Sequence, residues 1–230
     1  MAESGILREG IELYNHDNFT GALTYFLSLP SDADCNILDL SYYIGLCYTK
    51  LGRYDDALLY LEQVVTGAGD GEENKSRILQ CRYLLAVIYC KSGRMKLADF
   101  ELQKLLEINY KPASVYSSLA YVAWENNDVE QCLKYYEKAL TEDNKNLTAL
   151  NGMGYVLANE EKDLTQALMY CKKALSMAPE SAACLDSVGW VYFKMGLYTE
   201  SKSYLEKAYK KDSQNTVIQE HLKIVQRVAD

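Results

Sequence analysis

Apolar residues along this chain recur at three- and four-residue spacing, in short stretches broken by polar or glycine-containing turns. The segment GLCYTKLGRYDDALLYLEQ, residues 45–63, shows the unit: two amphipathic helices with Gly52 between them. A hairpin this small cannot bury its own apolar face, so its cover must be a neighbouring copy. The pattern predicts helices in pairs: 4–15 with 19–29, 37–51 with 54–66, 75–92 with 95–108, 113–126 with 129–142, 147–161 with 164–178, and 181–195 with 198–211. A last amphipathic stretch over 216–229, apolar at Val217, Ile218, Leu222, Ile224, Val225 and Val228, reads as a helix covering the final pair.

The copies align residue by residue. Gly45, Tyr48, Gly52, Tyr54 and Ala57 have the same separations as Gly189, Tyr192, Gly196, Tyr198 and Ser201, and as Ala86, Tyr89, Gly93, Met95 and Ala98. Degenerate copies carry Ala120, Ala123, Asn127, Val129 and Cys132, and Gly10, Leu13, Asp17, Phe19 and Ala22. A further copy has Gly154 and Leu157 but reaches Ala167 one residue late. The small-residue anchors at 10, 45, 86, 120, 154 and 189 are thus spaced by 35, 41, 34, 34 and 35 residues. The long step is accounted for by TGAGDGEENK, a glycine-rich acidic insertion at 66–75, expected to be a loop and a point of flexure.

A period near 34, with a small residue where two helices cross, an aromatic three later, a turn glycine and an alanine opening the second helix, resembles the tetratricopeptide repeat. The resemblance covers nearly the whole chain and implies an all-α right-handed superhelical solenoid. Its six repeats would lie at about 3–30, 38–67, 79–112, 113–146, 147–181 and 182–214, as one continuous domain, with 215–230 as a C-terminal capping helix. The last two copies, with GYVLA at 154–158 and LDSVGWVY at 185–192, are similar to paired C-terminal repeats of bacterial members of the family, including lipoproteins of the cell envelope.

By the same resemblance, the first helix of each pair lines a concave groove. That places Leu7, Ile11 and Tyr14, then Tyr42, Tyr43 and Leu46, then Tyr83, in the groove of the first three copies. Tyr121 and Trp124 follow, then Asn151, Tyr155 and Asn159, then Asp186, Trp190 and Phe193. Aromatic side chains with a polar tip give large contact area at low entropic cost, so these are expected to be at least half exposed and to hold a peptide or helix of a protein partner. Asn151 and Asn159 would hydrogen-bond its backbone. The opposing expectation is that the aromatics pack against neighbouring repeats, or that the last helix fills the groove. Members that grip a C-terminal carboxylate carry Lys, Arg and Asn at places held here by Leu7, Ile11, Tyr43, Gln80 and Leu84, so no such clamp is expected. The implied role is a non-enzymatic adaptor or assembly scaffold; self-assembly into a homodimer, or a chaperone for secreted or envelope proteins, are the alternatives.

Composition narrows the field. With 32 Asp and Glu against 24 Lys and Arg, the net charge of −8 repels phosphate backbones and anionic membranes, so no nucleic-acid partner is expected. No apolar run reaches the roughly 18 residues of a membrane span, and MAESGILREGIELY has neither a basic start nor an apolar core. No membrane insertion and a cytoplasmic location are therefore expected, with the periplasm or envelope as the alternative if a signal is removed. Seven cysteines without CxxC spacing fit reduced, buried thiols, and His16 and His221 lie far from any cluster, so neither a metal nor another cofactor is expected. TGAGDG at 66–71 lacks the Lys-Ser/Thr of a phosphate-cradling loop, and no nucleophile–base pair is visible.

Overall fold

The computed structural model describes residues 5–30, 32–67 and 72–229, and among them every regular element is an α-helix. The helices are α1 (Arg8–Asn15), α2 (Phe19–Ser28), α3 (Ile37–Lys50), α4 (Tyr54–Gly67), α5 (Glu72–Lys91), α6 (Met95–Glu107) and α7 (Pro112–Glu125). They continue as α8 (Val129–Glu142), α9 (Leu147–Asn159), α10 (Leu164–Met177), α11 (Ala182–Lys194), α12 (Tyr198–Lys211) and α13 (Thr216–Ala229). Two starts differ from the sequence reading by more than one residue. Residues 5–7 form a turn, so α1 begins at Arg8 and not at residue 4. Helix α5 begins at Glu72, taking in part of the expected loop, because EENKSR contains no helix breaker once Gly71 is passed. Residues 68–71 of the insertion lie outside the described residues.

Three local devices build each hairpin. The turn residue is left-handed in all six: Asp17, Gly52, Gly93, Asn127, Glu161 and Gly196 have φ between +52° and +75°. Each closes the first helix with the same paired bonds, for example Gly196 N–H to Phe193 O at 2.9 Å and Leu197 N–H to Tyr192 O at 2.9 Å. Side-chain caps then start many of the helices, with Asn18, Asn36, Asp128, Asn146, Asp163 and Ser181 accepting from backbone N–H groups one turn on. At the crossing, a Cβ on Gly10, Gly45, Gly154 or Gly189 would come within 2.4–2.8 Å of Phe26, Leu61, Cys171 or Leu205 on the paired helix. Opposite stands a row of small side chains without any exposure: Ala22, Ala57, Ala98, Cys132, Ala167 and Ser201. Each fully buried leucine beside it, Leu61, Leu102 and Leu205, contributes about 2 kcal/mol of hydrophobic stabilisation.

The chain divides into two compact units, with the boundary between Tyr110 and Lys111. It falls well beyond the glycine-rich insertion. Asn109 and Lys111 are both left-handed, and Pro112 opens α7; a residue before proline avoids the right-handed helical region, so no helix runs through this point. Within each unit the hairpins stack in order, and the first helices also touch one another, α3 with α5, α7 with α9, α9 with α11, and α11 with α13. Those first helices form the inner wall. Helix α13 enters the second unit as a further first helix, its Asn215 side chain accepting from Val217 and Ile218 N–H. Lys223 stands on α13 where the preceding hairpins carry Gly or Ala, facing an open groove of about 390 Å³ with Gln219, Leu222, Gln226 and Tyr209.

Candidate functional site

The inner wall of the first unit is closed by its own side chains. Tyr43 stacks on Phe26 at 5.7 Å and meets Tyr42 edge-on at 5.1 Å. The Tyr42 hydroxyl donates to Gln80 Oε1 at 2.9 Å, and the Arg77 guanidinium, paired with Asp39, lies over its ring at 5.5 Å. Burial pushes the Tyr42 phenol up to about 12. Tyr42 and Tyr43 are therefore buried, as are Leu7 and Ile11, against the expectation of half-exposed groove residues; Tyr83 is partly buried. The physical reason is packing between successive hairpins: Phe26 of α2 lies against Tyr43 of α3, and Gln80 and Arg77 of α5 cover Tyr42.

The second unit carries a longer aromatic chain. Trp124 on α7 meets Tyr155 on α9 at 6.3 Å, Tyr155 lies 6.1 Å from the His221 ring of α13, and His221 stacks on Trp190 of α11 at 4.0 Å and 13°. Phe193 stacks on the same Trp190 indole at 5.0 Å, and Lys194 Nζ is 5.4 Å from the Trp190 ring while pairing with Glu161. His221 Nδ1 lies 3.0 Å from both carboxylate oxygens of Asp186, so this nitrogen carries the proton and donates it. Burial, then the Asp186 carboxylate, pushes the Tyr155 phenol up.

The expected site residues thus separate into three groups. Asp186 and Trp190 are buried, contrary to expectation, because His221 covers both. Trp124, Asn151, Tyr155, Asn159 and Phe193 are partly buried. Tyr121 is exposed, at 40%. The sequence reading took the apolar residues of α13 as a helix covering the final pair. Ile218 and Val225 are buried, but Val217, Ile224 and Val228 are exposed at 46%, 37% and 49%. These three lie four before, three after and seven after His221, so they share its helical face and extend the inner wall. The His221–Asp186 pair joins side chains 35 residues apart on α13 and α11, one position off the 34-residue register that relates the caps Ser181 and Asn215, so the repeat pattern gave no signal of it. Among the described residues, no three His, Cys, Asp or Glu side chains converge as metal ligands, and no helix is long and apolar enough to cross a membrane.

Models of the tetratricopeptide repeat match residues 39–66, 79–112, 113–146 and 182–215, more than half of the chain and four of the six hairpins. The chain belongs to the tetratricopeptide-repeat family. Its fold is shared with a tetratricopeptide-repeat protein of Parabacteroides merdae, at 16% identity and TM-score 0.72 over 96% of this chain and 83% of that one. A tetratricopeptide-repeat protein of Thermus thermophilus matches at 17% identity and TM-score 0.66, over 83% and 99%. Pseudomonas aeruginosa PilF matches at 20% identity and TM-score 0.61, over 84% of each chain. No curated protein sequence matches significantly. Tetratricopeptide-repeat arrays generally mediate protein–protein interaction and are typically non-enzymatic scaffolds.

Proposed function

We propose that this tetratricopeptide-repeat protein is a non-enzymatic adaptor, and that the inner wall of its second unit holds a segment of a protein partner. The observation that carries this reading is an amphipathic strip outside the stacked aromatic core: exposed Tyr121 at one side, exposed Val217, Ile224 and Val228 at the other, with the partly exposed Trp124, Tyr155 and Asn159 on the same wall. Exposed apolar side chains gathered on one face mark interaction surfaces, and aromatic anchors supply most of the energy of such contacts. The first unit has no equivalent strip at Tyr42 and Tyr43.

The test is photocrosslinking in cells with benzoyl-phenylalanine in place of Tyr121 or Ile224, and in place of the exposed Glu200 on the outer helix α12 as control. A discrete adduct from the two wall positions but not from the control supports the reading. Equal labelling from all three, or none from the wall, refutes it. An adduct of twice the chain's mass identifies the partner as a second copy, and sedimentation equilibrium of the pure protein then gives a dimer.

A further inference from the structure

Among the described residues, two buried polar atoms of the second unit have no hydrogen-bond partner: Trp190 Nε1 and Asn151 Oδ1. Trp190 is only 8% exposed, so its indole N–H is a donor withdrawn from water with no acceptor beside it. Buried donors and acceptors left unmatched are rare in folded proteins and cost stability. Here the two stand on helices that touch, α9 and α11, at positions of the inner wall. One is a donor and the other an acceptor. Peptide main chain offers the matching pair, a carbonyl that accepts and an N–H that donates. A helical segment uses these groups internally except at its two ends, where N–H and C=O are free separately, so an extended segment presents both side by side.

The cover over this place is α13. His221 lies flat on the Trp190 ring, and Asp186 holds His221 there. Helix α13 packs on α11 and α12, and its Lys223 side opens onto the groove beside Tyr209. Lys223, Ile224, Gln226, Arg227 and Val228 of α13 are exposed, and a helix held along one face opens before those held along two. Resting on the reading that the inner wall receives a partner segment, we infer that Trp190 Nε1 and Asn151 Oδ1 form a covered main-chain-amide site, which an extended peptide reaches when α13 lifts from α11. The two unmatched atoms are then the stability cost of a site kept ready for a ligand.

The chain has two tryptophans, so labelling the full-length protein with ¹⁵N-tryptophan gives two indole N–H signals, and Trp190→Phe assigns them. The probe is N-methylacetamide, the smallest trans peptide bond. It is titrated into wild type, His221→Ala, which loosens the cover, and Asn151→Leu in the His221→Ala background. The Trp190 signal is expected to move downfield and saturate, at about tenfold lower probe concentration in His221→Ala than in wild type. Asn151→Leu should shift saturation to higher concentration. Trp190→Phe and Asn151→Leu alone should melt at or above the wild-type temperature, since each removes an unmatched buried atom. A Trp190 signal that stays fixed, or drifts linearly together with that of Trp124, overturns the inference, including the case in which an ordered water satisfies both atoms. If His221→Ala fails to fold, Asp186→Asn loosens the same cover and is judged by the same signals. Crosslinks from Tyr121 and Ile224 with a silent indole refute this site alone; a saturating indole without crosslinks refutes the wider reading of the wall.

Discussion

Gly154→Ala is the sharpest test of how the hairpins close. A Cβ at this position would stand 2.4 Å from Cys171 Sγ, 2.7 Å from the Ala167 carbonyl oxygen and 3.0 Å from the Cys171 backbone nitrogen. The sulfur can rotate away, but the carbonyl and the nitrogen belong to the α10 backbone. Carbon–oxygen contacts become comfortable at about 3.3 Å, so α10 must retreat from α9 by roughly half an ångström. Overpacking of this size costs about 1–3 kcal/mol, and alanine's better helix propensity returns about 1 kcal/mol. The expected net loss is about 1–2 kcal/mol, read as a lowered urea midpoint by far-UV circular dichroism. Gly52→Ala gives a contrast: nothing lies within 4 Å there, and its φ of +72° makes the cost purely conformational. Combining each change with Cys171→Ala completes the test. At Gly154 the sulfur's removal should rescue only part of the loss, since the carbonyl remains, and at Gly52 the two changes should simply add. A Gly154→Ala protein as stable as wild type, or one fully rescued by Cys171→Ala, would refute the view that backbone proximity makes glycine necessary.

Other outcomes follow from the same contacts. Asp186→Ala leaves the His221 N–H buried without its acceptor, a loss of about 1–3 kcal/mol that should speed amide hydrogen exchange in α13 while α9 and α10 exchange as before. Burial pushes the Cys47 thiol from 9.0 up to about 11, and the Cys81, Cys132 and Cys171 thiols up to about 12. These groups stay neutral in the folded chain while the unfolded chain ionises them, so their contribution is intact below about pH 9 and falls between about 9 and 12. A melting temperature that is flat across that window would contradict the assignment. At mildly alkaline pH a thiol reagent should modify the partly exposed Cys35 first and leave those four until the chain unfolds. Leu59→Ser and Phe100→Ser alter exposed side chains on α4 and α6, and are expected to change stability by less than about 0.5 kcal/mol.

The hairpins were legible because their positions obey local rules. A residue that must cross a neighbouring helix closely has to be small, and a residue that ends a helix in a left-handed turn is best Gly, Asn or Asp, so the spacing of Gly45, Gly52 and Ala57 could be followed through Asp17 and Asn127. Even the longer fifth turn obeys the geometry at a cost, placing Glu161 left-handed at φ +52° and adding a second left-handed residue at Asp163. Exposure on the inner wall follows no such rule. It depends on how far first helices converge and on side chains one repeat away, and a period records neither.

Trp190 shows the difference most plainly. It stands on α11, and what surrounds it is decided by the imidazole of His221, fixed by Asp186 from α11 itself. The same side chains that would make an open groove adhesive make a curved one cohesive: Trp124, Tyr155, His221 and Trp190 pack ring against ring. On the proposed reading, affinity would come from what this stacking leaves over, an exposed rim at Tyr121, Val217, Ile224 and Val228, and from the two polar atoms that the stacking buries without satisfying. A partner that only touched the rim would gain apolar area. One that also displaced α13 would have to offset the His221 stack and the Asp186 bond, so selectivity for extended segments would be set by whether Trp190 Nε1 and Asn151 Oδ1 find their matching groups.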